Sequence, residues 1–243
     1  MQIIHPLCCG IDCHQAQLTV CLRRVSETGK ITTELREFGT TYPELLALSD
    51  WLVAEQCPVV AMESTGVYWK PLYHVLCGMV EVFIGNAYDM RRRPGKKTDK
   101  ADAIWIAELL AHGLIAPSFV PPPAIRALRD LTRTRVTLIQ TRTQAKNRIQ
   151  GILEDSNIKL ASVVSDVFGK SGRRMLEALI AGERDPKTLA AMALGRLRHK
   201  LPQLELALTG PFNDHHGHLI QSALELVDLL DRQICDRDKQ IGL

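Results

Sequence analysis

Four carboxylates, Asp12, Glu63, Asp99 and Asp102, stand at positions where acid side chains could gather around a hard divalent cation. Asp12 closes a short apolar run in Gly-Ile-Asp, and Glu63 closes another in Ala-Met-Glu-Ser-Thr-Gly. Asp99 and Asp102 are three residues apart, so on a helix they share one face. Oxygen donors of this kind suit Mg²⁺, which keeps waters and takes substrate phosphates as its remaining ligands. Two such ions about 4 Å apart can activate an attacking oxygen and stabilise a leaving one in phosphodiester chemistry. Each acid taken singly also suits a solvated strand end, and Asp99 also suits a helix N-terminus.

The elements that would position these acids are legible in the hydrophobic pattern. Segments 7–13, 17–25 and 30–38 read as three consecutive strands joined by tight turns, the second turn being Glu27-Thr28-Gly29. In the third of them Ile31, Thr33, Leu35 and Glu37 fall on one side. Helical spacing follows over 42–55, then a buried strand over 57–62, a helix over 67–77, a strand over 80–84 and a helix over 98–112. That order predicts an α/β domain with a central mixed sheet, whose neighbouring strand ends line a crevice.

After Phe119 the character of the chain changes. Ten of the twelve aromatic residues lie at or before Phe119, and residues 1–118 carry a net charge of −2 against +5 for 119–243. The two shifts meet near Pro121, Pro122 and Pro123, which sets the expected domains at 1–118 and 119–243. The second is expected to be wholly helical, an all-α coiled-coil region. A long helix runs from Pro123 to about Asp155, short helices follow, and a last amphipathic run opened by Pro211 carries Leu219, Ala223, Leu226, Leu230, Ile234 and Ile241.

The overall charge of +3 hides two concentrated basic segments. Arg91, Arg92, Arg93, Lys96, Lys97 and Lys100 stand against Asp99 alone, a net of +5 immediately before the last two acids. Arg126, Arg129, Arg133, Arg135, Arg142, Lys146 and Arg148 stand against Asp130, a net of +6 interleaved with threonines. Positive charge beside a carboxylate cluster suits a phosphate backbone entering it. A basic, hydroxyl-rich helix suits contact with nucleic acid, including structured RNA read through phosphates and 2′-hydroxyls. The bland alternatives are a solvated loop for the first segment and a soluble helix face for the second.

Composition excludes several classes. Hydrophobic residues at 46% and charged residues at 23% describe an ordinary globular chain rather than a disordered one. No apolar run approaches the roughly 18–20 residues of a membrane helix. The seven cysteines include no C-x-x-C pair and sit mostly in apolar segments, which points to free thiols in a reducing compartment. His215, His216 and His218 read better as a polar helix entry than as a zinc site. Trp69 and Trp105 fall on helical stripes and read as core.

Three strings carry a resemblance: Gly-Ile-Asp-Cys-His at 10–14, Met-Glu-Ser-Thr-Gly-Val-Tyr-Trp at 62–69 and Lys-Thr-Asp-Lys-Ala-Asp-Ala at 97–103. They closely resemble the DEDD transposases, insertion-sequence recombinases related to the Piv DNA invertase, whose studied members are guided by a bridge RNA. The resemblance implies an RNase H-like, RuvC-like first domain in which Asp12, Glu63, Asp99 and Asp102 are the catalytic and metal-binding acids for Mg²⁺ or Mn²⁺. It further implies DNA and guide RNA as partners, self-association through the helical region and a place in the bacterial cytoplasm, at the nucleoid. The family continues into a further domain that supplies a serine nucleophile, whereas this sequence stops at Leu243. The expectation is therefore a truncated element or an N-terminal piece. Ser64 is no substitute, because Met62 breaks a Gly-x-Ser-x-Gly elbow. The function expected is DNA strand cleavage and exchange. The alternatives are a non-catalytic RNA-binding and dimerisation module, or a junction-resolving nuclease.

Overall fold

The apolar run ending at Asp12 forms β1 (Leu7–Cys13), the middle strand of a five-stranded sheet. The computed structural model describes residues 2–64, 66–88, 90 and 98–242. Around β1 the sheet is built from β2 (Gln17–Val25), β3 (Ile31–Gly39), β4 (Val59–Glu63) and β5 (Glu81–Gly85), in the order β3-β2-β1-β4-β5. β1, β2 and β3 form an antiparallel meander, while β4 runs parallel to β1 and β5 parallel to β4. This mixed sheet, with three strands of meander and two added by crossovers, is the RNase H-like arrangement.

Three helices cover the two faces of the sheet. α1 (Tyr42–Ala54) begins at Thr41, which shares a capping box with Glu44, and α2 (Trp69–Leu76) bridges β4 and β5. Their Leu48, Leu52, Leu72 and Leu76 pack with Ile11, Val20, Leu22 and Met62 of the sheet in one fully buried layer. On the opposite face lies α3 (Asp99–Ala111), whose Ile106 and Leu110 pack with Cys8, Val59 and Ala61, and whose Ala103 and Ala107 pack with Cys21. Side chains from β1 therefore enter both layers, as a central strand requires.

The alternation in β3 is real but does not mark a buried side. Ile31 and Leu35 remain 49% and 39% exposed, because α3, on the same face, lies over β1, β2 and β4 rather than over the outlying β3. The partly buried positions are on its other side, where Phe38 stacks on Trp51 of α1 with ring centroids 5.7 Å apart.

The chain divides into two compact units, 1–121 and 122–243. In the second, α4 (Pro123–Asp155) and α9 (Asp214–Ile241) lie side by side with opposite chain directions. Between them in sequence come α5 (Leu160–Val163), α6 (Lys170–Ile180), α7 (Pro186–Ala191), a 3₁₀ turn (Gly195–Lys200) and α8 (Leu201–Ala207). The core of this unit gathers at one end of α4, where the buried Ala145, Ile149 and Leu153 meet Ile220, Leu224 and Val227 of α9.

Two expectations for α9 are corrected. The helix starts at Asp214 rather than at Pro211, because Asn213 caps it by accepting from the His216 backbone N–H at 3.1 Å. The buried stripe is Ile220, Ala223, Leu224, Val227, Leu230 and Ile234, which leaves Leu226 41% exposed. His216 completes the cap through Nδ1, accepting from the Asn213 N–H at 3.2 Å. No helix among the described residues is long and apolar enough to cross a membrane. The described cysteines are all free.

Candidate metal centre and nucleic-acid face

Parallel pairing of β1 with β4 sets Ile11 beside Met62, so Asp12 and Glu63 follow one step further at the same edge of the sheet. Asp99 and Asp102 occupy the first turn of α3, which Thr98 caps by accepting from the Ala101 N–H at 3.2 Å. The close seat of α3 on β1, permitted by Gly10, carries that first turn to the end of β1.

Asp12, His14 and Asp99 come together, with one ligand atom of each lying within 4.8 Å of the others. His14 Nε2 is 3.1 Å from Asp12 Oδ2 and 3.5 Å from Asp99 Oδ1. Asp102 stands outside this trio yet close enough for its charge to act on Asp12. Glu63, half-buried at the end of β4, also stands outside the trio and acts with Asp12 on the neighbouring Cys13.

Burial pushes the Asp12 carboxyl above the usual carboxylate range, His14 opposes the shift, and the charges of Asp102 and Asp99 add to it. Burial likewise pushes the Cys13 thiol up to about 12, with Asp12 and Glu63 adding to the rise. A thiol held in that state is packing rather than chemistry. Several carboxylates crowded at one sheet edge repel each other, and a divalent cation relieves that repulsion. The oxygen donors therefore fit a hard divalent ion.

His14 is the residue that composition and spacing did not single out. Its signal was present in Gly-Ile-Asp-Cys-His, because residues i and i+2 at a strand end project to the same side. Taken alone, however, that spacing is too common to nominate a ligand.

The basic residues divide into groups. Arg91, Arg92, Arg93, Lys96 and Lys97 lie outside the described residues. Lys100 Nζ is 3.4 Å from Glu37 Oε1. On α4, Arg129, Arg133 and Arg148 are exposed, whereas Arg126 is half-buried. Arg142 donates to Asp231 at 2.6 Å and Arg135 pairs with Asp238, so both are tied to α9. Lys146 Nζ lies 4.9 Å from the centre of the Phe168 ring. The threonine hydroxyls bond inward: Thr134 donates to the Asp130 carbonyl at 2.8 Å and Thr141 to the Thr137 carbonyl at 3.0 Å. Their lone pairs, not their protons, remain for a ligand.

An RNase H-like sheet with carboxylates gathered at the end of its middle strand defines the class. Residues 9–158, the sheet domain together with α4, match the IS110-type DEDD transposase family. The chain belongs to that family. A comparison with curated proteins gives no match. Among solved structures, RuvC of Thermus thermophilus is 13% identical with a TM-score of 0.35, covering 46% of this chain and 99% of its own. A Fowlpox virus resolvase, solved with substrate Holliday junction DNA, is 12% identical with a TM-score of 0.35, covering 45% of this chain and 99% of its own.

Proposed function

We propose that this chain acts on DNA as an insertion-sequence recombinase, cleaving and exchanging strands at a divalent-metal centre formed by Asp12, Glu63, Asp99 and Asp102. The observation that carries the reading is the meeting of Asp12 and Asp99 from β1 and α3, with Asp102 in electrostatic reach and Glu63 at the adjoining strand end. Family membership supports it. Mg²⁺ or Mn²⁺ bound there would neutralise the phosphodiester and activate the attacking oxygen. The chain's own part is to hold the carboxylates at one sheet edge and to keep α3 against β1.

Nucleic acid is held by the basic segments. Arg129, Arg133 and Arg148 are the foremost contacts on α4, since they are exposed and span roughly 28 Å of helix. Arg126, Arg135, Arg142 and Lys146 flank them, and of these Arg135 and Arg142 would have to leave Asp238 and Asp231 to reach a phosphate. Arg91, Arg92, Arg93, Lys96, Lys97 and Lys100 belong to the same reading as the approach to the acids. Guide RNA as well as DNA is the expected ligand. Self-association through the helical unit is supported by Leu226 and Leu229 of α9, which stay 41% and 43% exposed. The place of action is wherever the bacterial DNA lies.

The test is a strand-nicking assay on supercoiled DNA and on four-way junctions in Mg²⁺ or Mn²⁺. Nicking by the wild type that is lost in Asp12→Ala and Asp102→Ala supports the reading. Nicking that survives both substitutions contradicts the site. Tight nucleic-acid binding with no metal-dependent cleavage favours a gripping and dimerising module instead, and junction-selective cutting favours a resolving nuclease.

A further inference from the structure

His14 occupies a position that none of the four acids accounts for. It is the first residue beyond β1, in the turn to β2, and its backbone N–H donates to the Gln17 carbonyl at 3.0 Å. The next residue is tethered as well, since the Thr40 hydroxyl donates to the Gln15 carbonyl at 2.9 Å. The turn backbone is thereby fixed and the imidazole is delivered to the side of β1 that carries Asp12.

One ring nitrogen faces two carboxylates that come from different elements. Nε2 stands 3.1 Å from Asp12 Oδ2 and 3.5 Å from Asp99 Oδ1. Neighbouring ligands of a six-coordinate ion with bonds of about 2.1 Å lie about 3 Å apart. Both His14 distances are close to that spacing, and the three donor atoms all lie within 4.8 Å of one another. The His14 side chain is 52% exposed, so the ring is open to an ion arriving from solvent.

We infer that His14 is a nitrogen ligand of the carboxylate centre and biases that centre toward Mn²⁺ over Mg²⁺. The inference rests on the metal centre argued above and adds its ion preference. Mg²⁺ favours oxygen donors and gives up water reluctantly, whereas first-row divalent ions bind imidazole more readily. A site with carboxylates alone would rank the two ions more evenly.

Electron spin-echo modulation of Mn²⁺ bound to the full chain reads the bond directly, because a coordinated imidazole couples its nitrogen to the electron spin. Wild type should show that coupling, and His14→Ala and His14→Asn should lose it while melting as cooperatively as wild type. In parallel titrations, His14→Ala should lower Mn²⁺ affinity at least about tenfold, the scale on which even outer-shell partners act, and shift Mg²⁺ affinity far less. A wild type that binds Mn²⁺ without nitrogen coupling overturns the role of His14 and leaves the carboxylate centre standing. Equal losses for both ions in His14→Ala overturn the claimed preference. A wild type that binds neither ion overturns the centre itself.

Discussion

Gly10 of β1 lies directly against Ala107 of α3: a Cβ at residue 10 would stand 2.3 Å from the Ala107 backbone nitrogen and 2.4 Å from the Ala103 carbonyl oxygen. Both obstacles are helix backbone, which cannot turn aside as a side chain can. The contact sets how closely α3 approaches the sheet, and hence how near Asp99 and Asp102 come to Asp12. Gly10→Ala should therefore act twice. Pushing α3 off the strand should cost roughly 1–3 kcal/mol of stability, the usual range for overpacking. It should also weaken divalent-ion binding, although no ligand has changed. Urea denaturation and an ion titration of the same variant check both. Unchanged stability together with unchanged affinity would show that the contact does not set the geometry.

Asp12 is held at a cost to the metal-free protein. Its carboxyl is raised above the ordinary range chiefly by burial, so the folded state disfavours the charged form. Below the unfolded value of about 3.9 both states are protonated and no penalty exists. The penalty develops as pH rises through the elevated folded value. Asp12→Asn should thus raise the Tm of the metal-free protein near neutral pH, with the difference closing in acid. Saturating Mn²⁺ should stabilise wild type by mass action and leave Asp12→Asn nearly unmoved. Thermal melts at two pH values, with and without Mn²⁺, decide the matter.

The proposed nucleic-acid face of α4 sets exposed arginines apart from arginines tied to α9. Replacing Arg129, Arg133 and Arg148 with Ala should lower affinity for duplex DNA and flatten the salt dependence, by about 0.9 in log–log slope for each phosphate left without its arginine. Arg142→Ala should act mainly on stability, by about 1 kcal/mol or less, because it breaks a half-exposed pair with Asp231. Filter binding across a salt series, beside denaturation of each variant, distinguishes the two groups. A slope that responds to Arg142→Ala and ignores the triple variant would reverse the assignment.

A pH signature is expected in the helical unit. Arg173 donates to Asp228 at 2.7 and 2.6 Å, and these hydrogen bonds hold the Asp228 carboxyl below its ordinary range. A depressed folded pKa gives stability that is fully present above the unfolded value and fades as pH falls through the folded one. Wild type and Asp228→Asn should differ in denaturation midpoint by a constant amount above about pH 5, and converge in stronger acid. A gap that stays constant into acid would deny the pair its role.

How much was legible in the sequence follows from the range of each interaction. Strands and helices came through because burial imposes periods of two and 3.6 residues on the chain itself. Periodicity does not say which side of an edge strand is covered, so Ile31 and Leu35 were placed together correctly yet stay exposed. On α9 the apolar stripe through Leu219 and Leu226 runs one residue out of phase with the buried Ile220 and Val227. Arg135 and Arg142 read as phosphate contacts because their partners lie 103 and 89 residues away in the chain. Local charge counting cannot find such pairs. In the structure, Arg135 and Arg142 stand one heptad apart and meet Asp238 and Asp231 in reverse order, which marks the opposite directions of the two helices. Asp12, Glu63, Asp99 and Asp102 stand out in the sequence by their strand-end and helix-turn positions, whereas the i, i+2 spacing of Asp12 and His14 is too common by itself to nominate a ligand.

The proposed function depends on acids from β1 and α3 binding one divalent ion. Isothermal titration of Mn²⁺ into wild type, Asp12→Ala and Asp102→Ala tests it most directly, with cooperative melting confirming that each variant is folded. The expected result is saturable binding by wild type and at least about tenfold weaker binding in both variants, since even outer-shell partners act on that scale. Equal Mn²⁺ affinity in all three proteins would show that Asp12 and Asp102 hold no metal ion.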